Sequence, residues 1–140
     1  MGRVRVERAL SLSADADVVW EFVSDFSRYA EWQPHIGSVR VGDDGVREVN
    51  FTSGRTILDR VVSRDDSART YAYSPLPGQP VPSTEMAATF VVTPDDGGST
   101  VRYEVMLVLP DEIEEAARAG ATHDVETALS QLAARFGERT

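Results

Sequence analysis

Tyr71, Tyr73 and Tyr103 lie in β-rich runs, as does Arg60, and one choice of strand parity aims three hydroxyls and a guanidinium into the same space. A buried hydroxyl needs a hydrogen-bond partner, so three of them together offer donors to an oxygenated molecule. The opposite parity puts Tyr71 and Tyr73 on an outer sheet face, where aromatic residues also stabilise strands. Arg60 has two readings as well. Turned inward, its desolvated guanidinium calls for an acid or a ligand oxygen and would bind a carboxylate, a phenolate or an enolate. Turned outward, it meets solvent beside Asp59. His35 could serve as a general base, since an unperturbed imidazole titrates near about 6.5, or it is simply a solvated loop residue. His123, the other histidine, falls on the polar side of a helical stripe. Asp111 to Glu115 is nearly all acidic but lacks the alternating oxygen ligands of a calcium loop, and reads as a helix start. No Gly-x-Ser-x-Gly, phosphate loop, His-Glu-x-x-His or dinucleotide fingerprint is present. No catalytic residue is assigned, and neither a metal nor a cofactor is expected.

The elements that must hold these residues follow from periodicity. Val4, Val6, Leu10 and Leu12 recur at period two and predict a strand over Arg3 to Leu12, with Arg8 interrupting its apolar face. Ser13 or Asp15 can cap a helix in which Val18, Val19, Phe22, Val23 and Phe26 share a face. A second helical turn, Ser27 to Trp32, takes Ser27 as its cap and stops before Pro34. From His35 to Leu109 the pattern is an antiparallel meander: Ile36–Val41, Val46–Thr52, Thr56–Ser63, Arg69–Ser74, Thr84–Thr93 and Thr100–Leu109. Pro75 to Val81-Pro82 contains four of the seven prolines and reads as a stiff exposed loop. After Pro110 the helical period returns, with a break or kink expected at Gly120 and a main stripe of Val125, Leu129, Leu132 and Phe136.

The expected fold class is therefore α+β: a curved antiparallel sheet of about seven strands, two short helices after the first strand, and a long C-terminal helix laid on the sheet. A sheet wrapped around a helix leaves a gap between them. Alternation gives the sets expected to face it: Leu58, Arg60 and Val62; Tyr71 and Tyr73; Met86, Ala88, Phe90 and Val92; Val101, Tyr103, Val105 and Leu107; and, from the helix, Val125, Leu129 and Leu132. A slip of one residue inverts any strand's set. The apolar members equally serve as plain core.

The chain has 140 residues, which predicts one domain over 1–140 with a core of its own. It carries 23 acidic residues against 14 basic ones, all arginine, for a net charge of −9. That balance argues against nucleic acid and anionic membrane surfaces as partners. The absence of cysteine, of a long apolar run and of a signal-peptide pattern predicts a cytoplasmic protein. A monomer or a homodimer is expected.

With Ala14-Asp15-Ala16-Asp17-Val18-Val19-Trp20, then Asp25-Phe26-Ser27-Arg28-Tyr29-Ala30-Glu31-Trp32-Gln33-Pro34, then Pro94 and Gly97-Gly98-Ser99-Thr100-Val101-Arg102-Tyr103, the chain resembles the Bet v 1/START-like superfamily. The closer resemblance is to its bacterial polyketide cyclase/dehydrase and lipid-transport group, over nearly the whole length. The resemblance implies a helix-grip fold with an apolar cavity beneath the C-terminal helix and Trp32 and His35 on its rim. It implies a hydrophobic small molecule as partner, such as a polyketide, lipid or aromatic metabolite, held by a carrier or sensor. The residues expected to bind it are Trp32, Leu58, Arg60, Tyr71, Tyr73, Met86, Phe90, Tyr103, Val105, Leu129 and Leu132. The alternative is an aromatase/cyclase promoting aldol closure. The arginine favoured on the fourth strand of those enzymes falls here at Val62, two residues from Arg60, which weighs against that reading. The proline loop and Ser53-Gly54 occupy the places of the gate loops of plant hormone receptors but carry neither the gate nor the latch sequence.

Overall fold

In the computed structural model, which describes residues 1–139, the chain begins with strand β1 (Gly2–Leu12), helix α1 (Ala16–Val23) and a 3-10 segment (Phe26–Glu31). Six strands follow: β2 (Ile36–Val41), β3 (Val46–Phe51), β4 (Thr56–Asp65), β5 (Thr70–Pro75), β6 (Glu85–Asp95) and β7 (Gly98–Leu109). A short 3-10 turn (Asp111–Ile113) then leads into helix α2 (Glu114–Phe136). The strands form one antiparallel sheet in the order β1-β7-β6-β5-β4-β3-β2, with α2 against β1 and β7: a helix-grip fold. Register shifts at Ile36/Ser38 and Val61/Ser63 bend the sheet, because an extra residue on one strand increases local twist.

Alternation explains most of the faces. Val4 and Val6 on β1, Ala88, Phe90 and Val92 on β6, and Val101, Tyr103 and Val105 on β7 are all buried, and the helix closes over them with Val125, Ala128, Leu129 and Leu132. The expectation that Gly120 interrupts this helix is corrected: α2 runs unbroken for 23 residues. A helix-interior glycine costs only about 1 kcal/mol relative to alanine, less than burial of that stripe returns. The cap of the first 3-10 segment is corrected too. Asp25, two residues earlier than expected, accepts from the Ser27 backbone N–H at 3.2 Å and from its hydroxyl at 2.6 Å, so Ser27 donates rather than caps. Asp15 stands at the N-cap position of α1 without a side-chain cap bond.

The two ends of the chain are fastened together. Ser13 N–H donates to the Gly137 carbonyl at 2.8 Å, Arg139 N–H to the Ser11 carbonyl at 2.9 Å, and the Arg139 guanidinium to Asp95 at 2.7 Å. Gly98 is required there: its φ is +152°, and a Cβ would lie 2.0 Å from the Leu12 carbonyl oxygen. Gly98→Ala should therefore lower unfolding free energy by at least about 2 kcal/mol, read as the urea midpoint, because both the backbone conformation and the close approach oppose it. An unchanged midpoint would mean that this corner is free to open.

Candidate functional site

Strand β3 places Arg47 on the same side as Val49, two residues on, and β4 places Asp59 directly opposite it in the antiparallel ladder. Both face inward. Arg47 is 1% exposed and Asp59 5%. Two parallel bonds join them, Nε to Oδ1 at 2.7 Å and Nη2 to Oδ2 at 2.8 Å. Such a fork matches carboxylate geometry and offsets the cost of taking both charges out of water. The guanidinium also lies over aromatic faces, 4.2 Å from the Tyr73 ring centroid and 4.6 Å from that of Phe26. Burial is the largest single influence and works against its charge, but the hydrogen bond to Asp59 together with the charge interactions of Tyr29, Asp59 and Tyr73 outweighs it, and the net direction of its pKa is upward. One nitrogen, Nη1, has no hydrogen-bond partner, and neither does Nε2 of the nearly inaccessible Gln33.

This pair forms part of the wall of a cavity of about 440 Å³ between the sheet and the first half of α2. Small-molecule sites commonly run from roughly 300 to 1,000 Å³. The apolar wall is Ile36, Val49, Phe51, Ile57, Met86, Val105, Leu107 and Leu109, with Ala117, Gly120 and Ala121 from the helix. The polar wall is Tyr29, Gln33, Arg47, Asp59, Tyr73 and Tyr103. Arg55, Pro82 and Gly120 are exposed wall residues, and His35 and Asp124 are half-buried. Arg55 donates to the Pro80 carbonyl, and the Gln79 side chain accepts from Leu58 N–H at 2.8 Å, so the proline loop is tied to the start of β4.

The tyrosines pair. Tyr73 and Tyr103 share a hydrogen bond of 2.9 Å, while Tyr29 meets Tyr71, which in turn donates to the Val23 carbonyl at 3.1 Å. Burial raises the phenol pKa of all four, most strongly at Tyr71 and Tyr103, and neighbouring tyrosines add to it there. They remain protonated donors at neutral pH. Since a bond between two hydroxyls spends one proton, the Tyr73–Tyr103 pair keeps a second for another acceptor.

Of the residues singled out from sequence, Tyr73, Met86, Tyr103 and Val105 lie on the cavity wall. Tyr71, Phe90, Leu129 and Leu132 are buried beyond it, in the packed end of the molecule. Trp32 is not at a rim: it is fully buried, its ring centroid 5.1 Å from that of Tyr29 and 5.3 Å from that of Phe90. The inward set of β4 is inverted. Arg60 is exposed, Val62 is 59% exposed and Leu58 lies half-buried off the wall, while Ile57 and Asp59 face the cavity. The cause is the Arg47–Asp59 pair, which can form only with this parity. Arg47, Asp59, Tyr29 and Gln33 are the polar wall residues that the sequence reading missed. The inward alternation of Arg47 with Val49 and Phe51 was the available signal.

Comparison with known proteins agrees with this geometry. A model of the family described as polyketide cyclase / dehydrase and lipid transport matches residues 3–137. No curated protein matches the chain. A solution NMR structure from Thermobifida fusca is 29% identical, over 98% of this chain and 94% of that one, with a TM-score of 0.76. The Zhui aromatase/cyclase from Streptomyces sp. R1128 is 20% identical, over 96% and 93%, with a TM-score of 0.81. A START superfamily protein from Mycobacterium smegmatis is 15% identical, over 96% and 97%, with a TM-score of 0.75. At identities this low, the last two likenesses are of fold.

Two outcomes are expected of the site. Arg47→Met leaves Asp59 buried without its partner and should cost about 3–5 kcal/mol, whereas adding Asp59→Leu should restore most of it. Urea denaturation of the two variants measures this, and equal losses would show that the pair is not coupled. At the mouth, burial lowers the pKa of His35, with Asp124 opposing and His123 adding to the shift. The folded chain thus takes up this proton less readily than the unfolded one. Its contribution to stability is complete above about pH 6.5 and is lost as pH falls through the lower folded value. His35→Gln should accordingly lose less stability than the parent between about pH 7 and 5, and identical losses would contradict the assignment.

Proposed function

Because this chain belongs to the polyketide cyclase/dehydrase and lipid transport family, within the Bet v 1/START-like superfamily, we propose that it binds a hydrophobic, partly oxygenated small molecule, as a carrier or sensor. The observation that carries this reading is an apolar cavity with one buried guanidinium nitrogen left unbonded. An apolar wall holds the ligand's body through burial of its surface. Arg47 Nη1 and the spare tyrosine proton receive its oxygen, which is worth more inside the protein than in water because the site is already desolvated. In this reading the protein works in the cytoplasm, on the strength of its cysteine-free, acidic composition.

A second reading, aldol ring closure of a poly-β-ketone, is favoured by the same donors, which would polarise a carbonyl and stabilise an enolate oxygen. It is the weaker of the two. Deprotonation of the poly-β-ketone needs a base, yet both oxygens of Asp59, the carboxylate beside those donors, already accept from Arg47.

The experiment is native against denaturing mass of protein purified gently from its own host, with extraction of whatever accounts for a difference. An apolar metabolite bound in stoichiometric amount is expected. A ligand-free protein that also fails to bind any apolar probe saturably would overturn the proposal. Product mixtures from a reactive poly-β-ketone, unchanged by the protein, would remove the cyclase reading.

A further inference from the structure

The face that α2 turns to the sheet changes character along its length. Toward the C-terminus it carries Val125, Leu129 and Leu132, which are buried in solid core. One and two turns earlier the same face carries half-buried Ala121 and Ala117, with the exposed Gly120 on its flank where the cavity opens, and this is the stretch that overlies the cavity. Residues at i and i+4 stack on one helix face, so Ala117, Ala121 and Val125 form a row whose side chains end where the open volume begins. A Cβ built on Gly120 meets no atom within 4 Å. An interior glycine costs helix stability relative to alanine, and here no close packing compels it. The opposite wall of the same cavity carries Arg47, 1% exposed and with Nη1 unpartnered, so the space beneath these small residues has a polar end as well as apolar sides.

We propose that Ala117, Gly120 and Ala121 are size-selecting residues, which set the largest ligand body that the cavity admits. The inference rests on the reading of this cavity as a ligand site and adds to it which residues limit the ligand. Leucine at either alanine position keeps good helix propensity and adds three carbons at a residue of the cavity wall. It narrows the free space between helix and sheet while leaving Arg47 and the tyrosines themselves unaltered. A body that no longer fits loses contact over its whole length, and one methylene of misfit in an apolar pocket already changes affinity by roughly 10–200-fold.

The test measures dissociation constants of benzoate, naphthalene-2-carboxylate, anthracene-2-carboxylate and pyrene-1-carboxylate for the full chain and for Ala121→Leu, by the fluorescence of the larger probes and, for benzoate, by competition with them. Ala121→Leu should weaken the largest probe that the parent binds by at least about tenfold, and leave benzoate, a one-ring probe, within about threefold. Ala117→Leu should act in the same direction. Gly120→Ala should raise the urea midpoint and weaken only the largest bound probe, which keeps the test available if a leucine variant fails to fold. A parent that binds no probe would overturn the ligand-site reading and this inference with it. A parent that binds, with variants of unchanged size profile or of uniformly weakened affinity, would overturn the size-selecting role alone.

Discussion

A guanidinium buried to 1% exposure is tolerable only because Asp59 faces it across the β3–β4 ladder, and much of the architecture is tied to that pairing. The fork needs both side chains on the inner face and in register. A slip of one residue between the strands would turn one of them to solvent and leave the other charged and unpaired inside. The pair therefore pins the register of the strands that form one side of the cavity. Tyr73 and Phe26, stacked beneath the guanidinium, tie it in turn to β5 and to the segment after α1.

The molecule is solid at one end and open at the other. Around Tyr71 the rings of Trp20, Phe26 and Phe90 pack with centroids 5.1 to 5.8 Å apart, and α2 contributes leucines. Toward β2, β3 and the proline loop, the sheet bends away at its register shifts while α2 presents alanine and glycine. Curvature makes the separation, and small side chains leave it unfilled. Since the aromatic end is closely packed, a loss of contacts at the open end need not spread through the core.

Much of the fold was legible because its signals are local. Strand β2 was bounded at Ile36 and Val41 as observed, and β6 and β7 declared their inner faces through uninterrupted apolar alternation. Strand β4 did not. Ile57-Leu58-Asp59-Arg60-Val61-Val62 consists of three doublets, so both parities read apolar, charged, apolar, and only a partner on another strand decides between them. The site was legible in part for the same reason. Tyr73 and Tyr103 follow from alternation, whereas the burial of Trp32 and the separation of Leu129 from the cavity depend on how distant elements pack. Residue type alone distinguishes neither wall from core nor rim from interior.

The central claim is that the space between the sheet and the first half of α2 receives a ligand. The most direct measurement is a titration of the methyl-labelled protein with naphthalene-2-carboxylate, followed by NMR. The account predicts saturable shifts of the Val49, Val105, Leu107 and Ala121 methyls, which line the cavity. It would be contradicted by shifts confined to the exposed Val18, Val41 and Val62, or by no shifts at ligand concentrations that saturate the protein's binding.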